Sequence, residues 1–380
     1  MPSVILLIVL GWIVRQISFY WEIAVPNLMP ILPILGTVGL ILIVLEGSLE
    51  LELNRSKIKL INKSLWVALL PVFILAFLLD FAFQYFGYPS FKDNLANIIP
   101  LCIISSAIAI PSARFLTSSD REFVVYESSL SDIIGILFFN FITLNTTIDV
   151  FSFGHFIRDF TLMVIISFMA TIGLAFLLKN IGHHVKFVPI ILLVILIYSV
   201  SKIYHLPSLV FILILGIFLG NLDELKSLKW IAKLNPDSLN REVNRLKELT
   251  AEMTFLIRTL FFLLFGYLLE TPDILNEKTA LWALGIVIAI YAIRAIHLKL
   301  FGFKLYPLLY IAPRGLITIL LYLSIPVTQQ IDLVSKSLII QVIILTALVM
   351  MVGLMTMPKV RDEVETLDEK IAQDSEEPSL

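Results

Sequence analysis

Between Pro2 and Met357 the chain is a succession of apolar stretches separated by short polar breaks, and each stretch is about the length of a membrane-crossing helix. A helix needs about 20 mostly apolar residues to cross the roughly 30 Å hydrocarbon core of a bilayer. Twelve segments qualify: 2–20, 28–51, 64–86, 94–116, 122–144, 160–179, 187–203, 207–222, 251–270, 279–298, 303–326 and 337–357. Composition removes the soluble alternatives. Hydrophobic residues make up 58% and charged residues 15%, against about 45–50% and 25% in globular domains. Such a chain cannot cover a water-facing surface, and disorder or a coiled coil would need more charge. Mixed Leu, Ile, Phe and Gly with interior prolines, rather than ten-residue alternation, predict an all-α polytopic membrane protein and not a barrel. A net charge of −2 gives no basic footprint for nucleic acid, and one cysteine, Cys102, permits no internal disulfide.

Lysine and arginine placement sets the orientation. With the 52–63 loop cytoplasmic, twenty of the 28 basic residues face inside and six outside, and both termini are predicted to be cytoplasmic. The polar stretch 223–250 carries Leu239, Val243, Leu246 and Leu249 at helical spacing and is expected to lie on the membrane surface. Residues 359–380 form a short acidic tail, expected to be disordered.

Three local matches recur in order at offsets of 205, 219 and 202: Pro2–Gly11 with Pro207–Gly216, Leu45–Leu49 with Leu264–Leu268, and Ala109–Ala113 with Ile311–Gly315. The spans at 2–20 and 207–222 enter the membrane in opposite senses. The pattern predicts two inverted-topology repeats, the plan of many secondary transporters. The partner of 187–203 would then precede Pro2, so one helix of the repeat is expected to be missing there.

Ionisable groups inside a membrane are costly and need partners or a function. Asp132 lies about ten residues into its span, with Glu127, Ser128 and Ser131 close by and Ser128 at i−4 on the same face. This predicts a cation or proton site built from a carboxylate and hydroxyls. Pro111 and Pro313 each remove a backbone donor inside a span, so Ala109, Ile110, Pro111 and Pro313 are the expected positions of two broken helices facing each other near the midplane. Buried Arg314 is expected to pair with Glu127, because an unpaired guanidinium at that depth is very costly. Glu46 is a candidate to reach the site from the cytoplasmic side. Arg258 is expected to snorkel, and Asp80 and Arg294, near span ends, to be interfacial. His183 and His184 lack further ligand-type neighbours, so no metal is expected beyond a transported ion, and no motif asks for a cofactor or marks an enzyme.

These residues together resemble the sodium/hydrogen exchanger (cation:proton antiporter) family. The similarity rests on Glu-Ser-x-x-Ser-Asp at 127–132, Pro-Arg-Gly at 313–315, Leu-Glu-Gly-Ser-Leu at 45–49 and the Pro-Ser opening, which is similar to the family's second helix; it extends over 2–357. The resemblance implies thirteen helices in inverted repeats, here without the first, and a homodimer in which a core moves past a dimerisation part. The membrane domain would span 1–358, with a core at 64–144 and 279–357, an interface part at 2–51 and 187–270, and a connector at 160–179. It implies that Asp132 binds cation and proton in turn and that Glu127 and Arg314 form a stabilising pair. This chain has Ala109-Ile110 where the family carries Thr-Asp before Pro, and Ser131 where it carries Asn. The expected activity is exchange of protons for a monovalent cation, sodium first and potassium or lithium next, across the plasma membrane. The alternatives are a sodium-coupled organic-anion transporter of the same fold and a non-transporting scaffold.

Overall fold

The computed structural model describes residues 3–22, 28–51, 55–145, 150–180, 187–203, 209–222 and 236–356. The acidic tail, His183, His184 and residues 223–235 lie outside them. Regular structure among the described residues is entirely helical. In chain order the helices are α1 (Ser3–Tyr20), α2 (Ile31–Glu50), α3 (Ile58–Tyr85), α4 (Phe91–Cys102), α5 (Ser106–Ser112), α6 (Ser118–Leu144), α7 (Val150–Asn180), α8 (Phe187–Ile203), α9 (Leu209–Gly220), α10 (Pro236–Tyr267), α11 (Glu277–Leu300), α12 (Leu316–Leu323) and α13 (Lys336–Met355). Eight helical stretches among the described residues, α4 and α5 taken together, are long and apolar enough to cross a membrane, and α1 and α9 add shorter apolar helices. The amphipathic stretch expected to lie flat is, from Pro236, the first part of α10 and continuous with its span.

Local chemistry fixes the ends. Ser90, Thr117 and Asn276 cap α4, α6 and α11 by accepting the backbone N–H of Asp93, Asp120 and Lys278, each relieving one unpaired donor of a first helical turn. Asp80, near the end of its span, does not face water. It is buried, accepting from Gln84 Nε2 at 2.7 Å and Asn94 Nδ2 at 2.9 Å, and so ties the end of α3 to the start of α4.

Two groups of helices emerge from the packing. In one, α3 packs on α4, α6 and α11, and α11 on α13; in the other, α10 packs on α1 and α2, and α9 on α2 and α7. Helix α2 lies between them, nearly all of Gly39–Leu49 being buried, and it also meets α5, α6 and α12. Along the spans many large apolar side chains stay exposed (Leu6, Ile13, Phe77, Ile288), as lipid-facing side chains are expected to be.

Between α1 and α10 the backbones touch. A Cβ on Gly11 would fall 2.1 Å from the Leu263 carbonyl oxygen, and one on Gly266 2.2 Å from that of Ile8. Small residues allow this approach in membranes, where packing rather than water exclusion drives helix association. Gly11→Val is expected to cost about 1–3 kcal/mol, the usual range for overpacking. A melting curve in detergent would check it, and an unchanged midpoint would contradict the contact.

A candidate ion site where two interrupted helices cross

Between α4 and α5 the chain leaves the helix at Ile103, Ile104 and Ser105. Between the helical turn Leu308–Tyr310 and α12 it runs without helix through 311–315. The two irregular segments cross: the Ser105 N–H donates to the Pro313 carbonyl at 2.9 Å. Buried backbone groups must be paired, and at the first break several of the pairings are visible. The N–H of Ile104 donates to Ser131 Oγ at 3.0 Å, and that of Ser106 to Asp132 Oδ2 at 3.3 Å. The carbonyls of Leu101 and Cys102 accept from Arg314 Nε and Nη2 at 2.8 and 3.1 Å. Donors and acceptors that would have continued the helix are taken by α6 and by the opposite crossing segment, so the helix stops here.

This corrects the sequence expectation on one side. Pro313 lies in its crossing segment, but Ala109, Ile110 and Pro111 lie inside α5, beyond the break. A proline within the first turn or two of a short helix removes one bond without ending it, whereas competing partners for five backbone groups end α4 at Cys102.

Asp132 lies at this crossing on α6, 2% exposed. Its Oδ2 also accepts from the Ser106 hydroxyl. Its Oδ1 is buried and has no hydrogen-bond partner among the described residues, and the same holds for the hydroxyl of Ser105, the residue before Ser106. The close approach of the break to α6 depends on Gly135, where a Cβ would fall 2.2 Å from Ile103 Cδ1. Of the hydroxyls expected here, Ser131 supports the break through Ile104. Ser128, though on the right face, donates to the Val124 carbonyl at 2.7 Å. Sequence reasoning missed Ser105 and Ser106. The available signal was a serine pair soon after Pro100, in a span already expected to break.

Glu127 does not pair with Arg314. It meets Arg294 of α11 in a two-pronged ion pair, Nη1–Oε1 2.5 Å and Nη2–Oε2 2.9 Å, with the pair 1% and 4% exposed. Arg294 also donates through Nε and Nη2 to the Leu308 carbonyl at 3.0 and 2.8 Å, holding the second interrupted segment. It therefore does not face water. Arg314 is satisfied by carbonyls, those of Leu101 and Cys102 and, through Nη1, its neighbour Ala312 at 2.8 Å. A fixed cation at the carbonyl end of α4 complements that half-helix's dipole, which is why Arg314 needs no carboxylate.

Glu46, late in α2 and half-buried, interacts with Arg258 and Thr254 of α10, and no hydrogen bond joins it to Asp132. Arg258 is only partly buried, and its Nη1 donates to the Ala107 carbonyl of α5 at 2.5 Å. A cleft of about 440 Å³ lies between the groups, lined by Pro33, Thr37, Asn140, Thr143, Ser324 and Pro326 among others, and reaches Ile136, one turn from Asp132.

An all-helical membrane protein whose two interrupted helices cross against a buried carboxylate, with both arginines of the crossing satisfied internally, has the build of a secondary transporter. Residues 1–361 match the family described as "Sodium/hydrogen exchanger, transmembrane". The chain belongs to that family, which supports cation:proton antiport as its general activity. No curated protein sequence matches it significantly. Two solved structures of the sodium proton antiporter MjNhaP1 from Methanocaldococcus jannaschii share the fold. One, determined at pH 8, has 16% identity, covers 93% of this chain and 94% of that one, and has a TM-score of 0.61. The other, from an electron-microscopy map, has 17% identity, coverage of 92% and 93%, and a TM-score of 0.59.

Proposed function

We propose that the protein exchanges protons for a monovalent cation, sodium first, by alternating access, with Asp132 holding either ion in turn. The observation that carries this is the free Oδ1 of Asp132. A buried carboxylate at the crossing has one oxygen tied to Ser106 and the other left without a partner among the described residues, as is the hydroxyl of Ser105, the residue before Ser106. A buried charged group needs a counter-ion or a proton. One carboxylate holds one or the other, so the two ions compete and the simplest stoichiometry is one for one. Ser105, Ser106 and Asp132 replace Ser128 and Glu46 as the proposed ligands, with Ser131 and Glu127–Arg294 as supports.

The orientation in which 52–63 and both ends face the cytoplasm agrees with the basic loops, and the cleft at Pro33 and Pro326 then opens outward. The inverted repeat, the homodimer and the plasma-membrane location remain part of this proposal on the strength of the family. An organic anion is disfavoured, because Arg294 and Arg314 are both committed to protein oxygens.

The test is a proteoliposome with an internal pH dye, presented in turn with sodium, potassium and lithium. Cation-driven proton efflux is expected, with an apparent KM that rises about tenfold per unit of falling pH once protons dominate the site, as one-site competition requires. A KM independent of pH would remove the shared site, and flux with no cation would remove the exchange itself.

A further inference from the structure

Pro111 has no N–H, and in a helix its N–H would have gone to the carbonyl four residues back, that of Ala107. Ala107 is itself buried. Its carbonyl instead accepts from Arg258 Nη1 across the boundary between the helix groups, from α10 to α5. The Nε of Arg258 is buried and has no partner among the described residues, so the guanidinium is only partly satisfied where it sits. Around it, α2 approaches α6 closely: a Cβ on Gly47 would lie 3.2 Å from Ser129 Oγ. At the other end of α2, Pro33 and Thr37 line the open cleft. The groups are thus closed at the Glu46–Arg258 end and parted at the Pro33 end.

We propose that Arg258 and the proline-freed carbonyl of Ala107 form a latch that closes one end of the pathway and holds the other end open. The proposal rests on the alternating-access reading above. Sliding α5 past α10 breaks this bond, and because the acceptor is a backbone carbonyl that the helix does not use, breaking it leaves α5 otherwise intact. Pro111 is then a positioning residue: it keeps Ala107 available.

The test places a cysteine in the cleft, Asn140→Cys, in the reconstituted full chain and follows its reaction with a membrane-impermeant thiol reagent. Cys102, the only native cysteine, is buried. Arg258→Gln is expected to slow labelling about five- to tenfold, the population shift that follows loss of one charge-assisted hydrogen bond. Pro111→Ala, which returns an N–H to compete for Ala107 without touching Arg258, is expected to slow it in the same direction. Arg258→Lys is expected to restore part of the rate. Unchanged labelling in folded Arg258→Gln and Pro111→Ala proteins overturns the latch, and if Arg258→Gln fails to fold, Pro111→Ala alone decides it. The same labelling in an Asp132→Asn background separates the two readings: the response to Arg258→Gln survives there if the latch is right, whether or not the native chain exchanges ions.

Discussion

Asp132→Asn is expected to lower cation-driven proton flux to the level of protein-free liposomes while leaving the melting midpoint within a few degrees of the native value. The amide is the same size as the carboxyl, and its oxygen still accepts from the Ser106 hydroxyl and N–H, so the contacts that seat residue 132 against the break survive. What the amide cannot do is take up and release a proton, or supply a negative charge to a dehydrated cation. Asp132→Glu keeps the charge but pushes the carboxyl one methylene further into a site sealed by Ile103 against Gly135, and is expected to retain only a small part of the flux. The paired measurement, flux with melting, matters because loss of flux alone would also follow from misfolding. Native-like exchange in a well-folded Asp132→Asn protein would move the ion site elsewhere.

Much of this was readable from the chain because a membrane restricts the backbone to a few solutions. Spans, the buried Asp132 and the second crossing at Pro313 follow from apolar length and from the cost of charge in oil. Partner choice did not follow. Arg294 and Arg314 are both buried guanidiniums within reach of the crossing, and nothing in their spacing tells which of them finds the carboxylate. That is settled by which carbonyls the break releases, since the end of α4 already supplies Arg314 with acceptors. The position of the first break was hidden for a related reason. Proline is a local signal, whereas α4 ends because Ser131, Asp132, Pro313 and Arg314, all distant in sequence, take its backbone groups. Glu46 looked like a reach into the site, yet it faces α10, because the side of α2 that carries it turns toward Arg258.

The second large effect falls on the Glu127–Arg294 pair. Removing one member of a buried ion pair leaves the other charged and unpaired, at a cost of about 3–5 kcal/mol, so Arg294→Gln is expected to melt far below the native protein. Glu127→Gln is expected to do nearly as much, since Arg294 keeps the Leu308 carbonyl and one amide oxygen but loses the carboxylate's charge and its second acceptor, where an NH2 now faces the guanidinium. The pair also joins α6, which carries Asp132, to α11 and through Leu308 to the second crossing segment, so its loss should loosen the crossing as well as the fold. A double-mutant cycle distinguishes this arrangement from the one that the spacing of residues suggests. Glu127→Gln with Arg294→Gln should be less destabilising than the sum of the singles, by about 0.5–3 kcal/mol of coupling. Glu127→Gln with Arg314→Gln should show a clearly smaller coupling, because Arg314 is held by carbonyls of Leu101, Cys102 and Ala312 and feels that carboxylate only through space. Strong coupling to Arg314 with none to Arg294 would reverse the assignment, and with it the account of why α4 stops at Cys102.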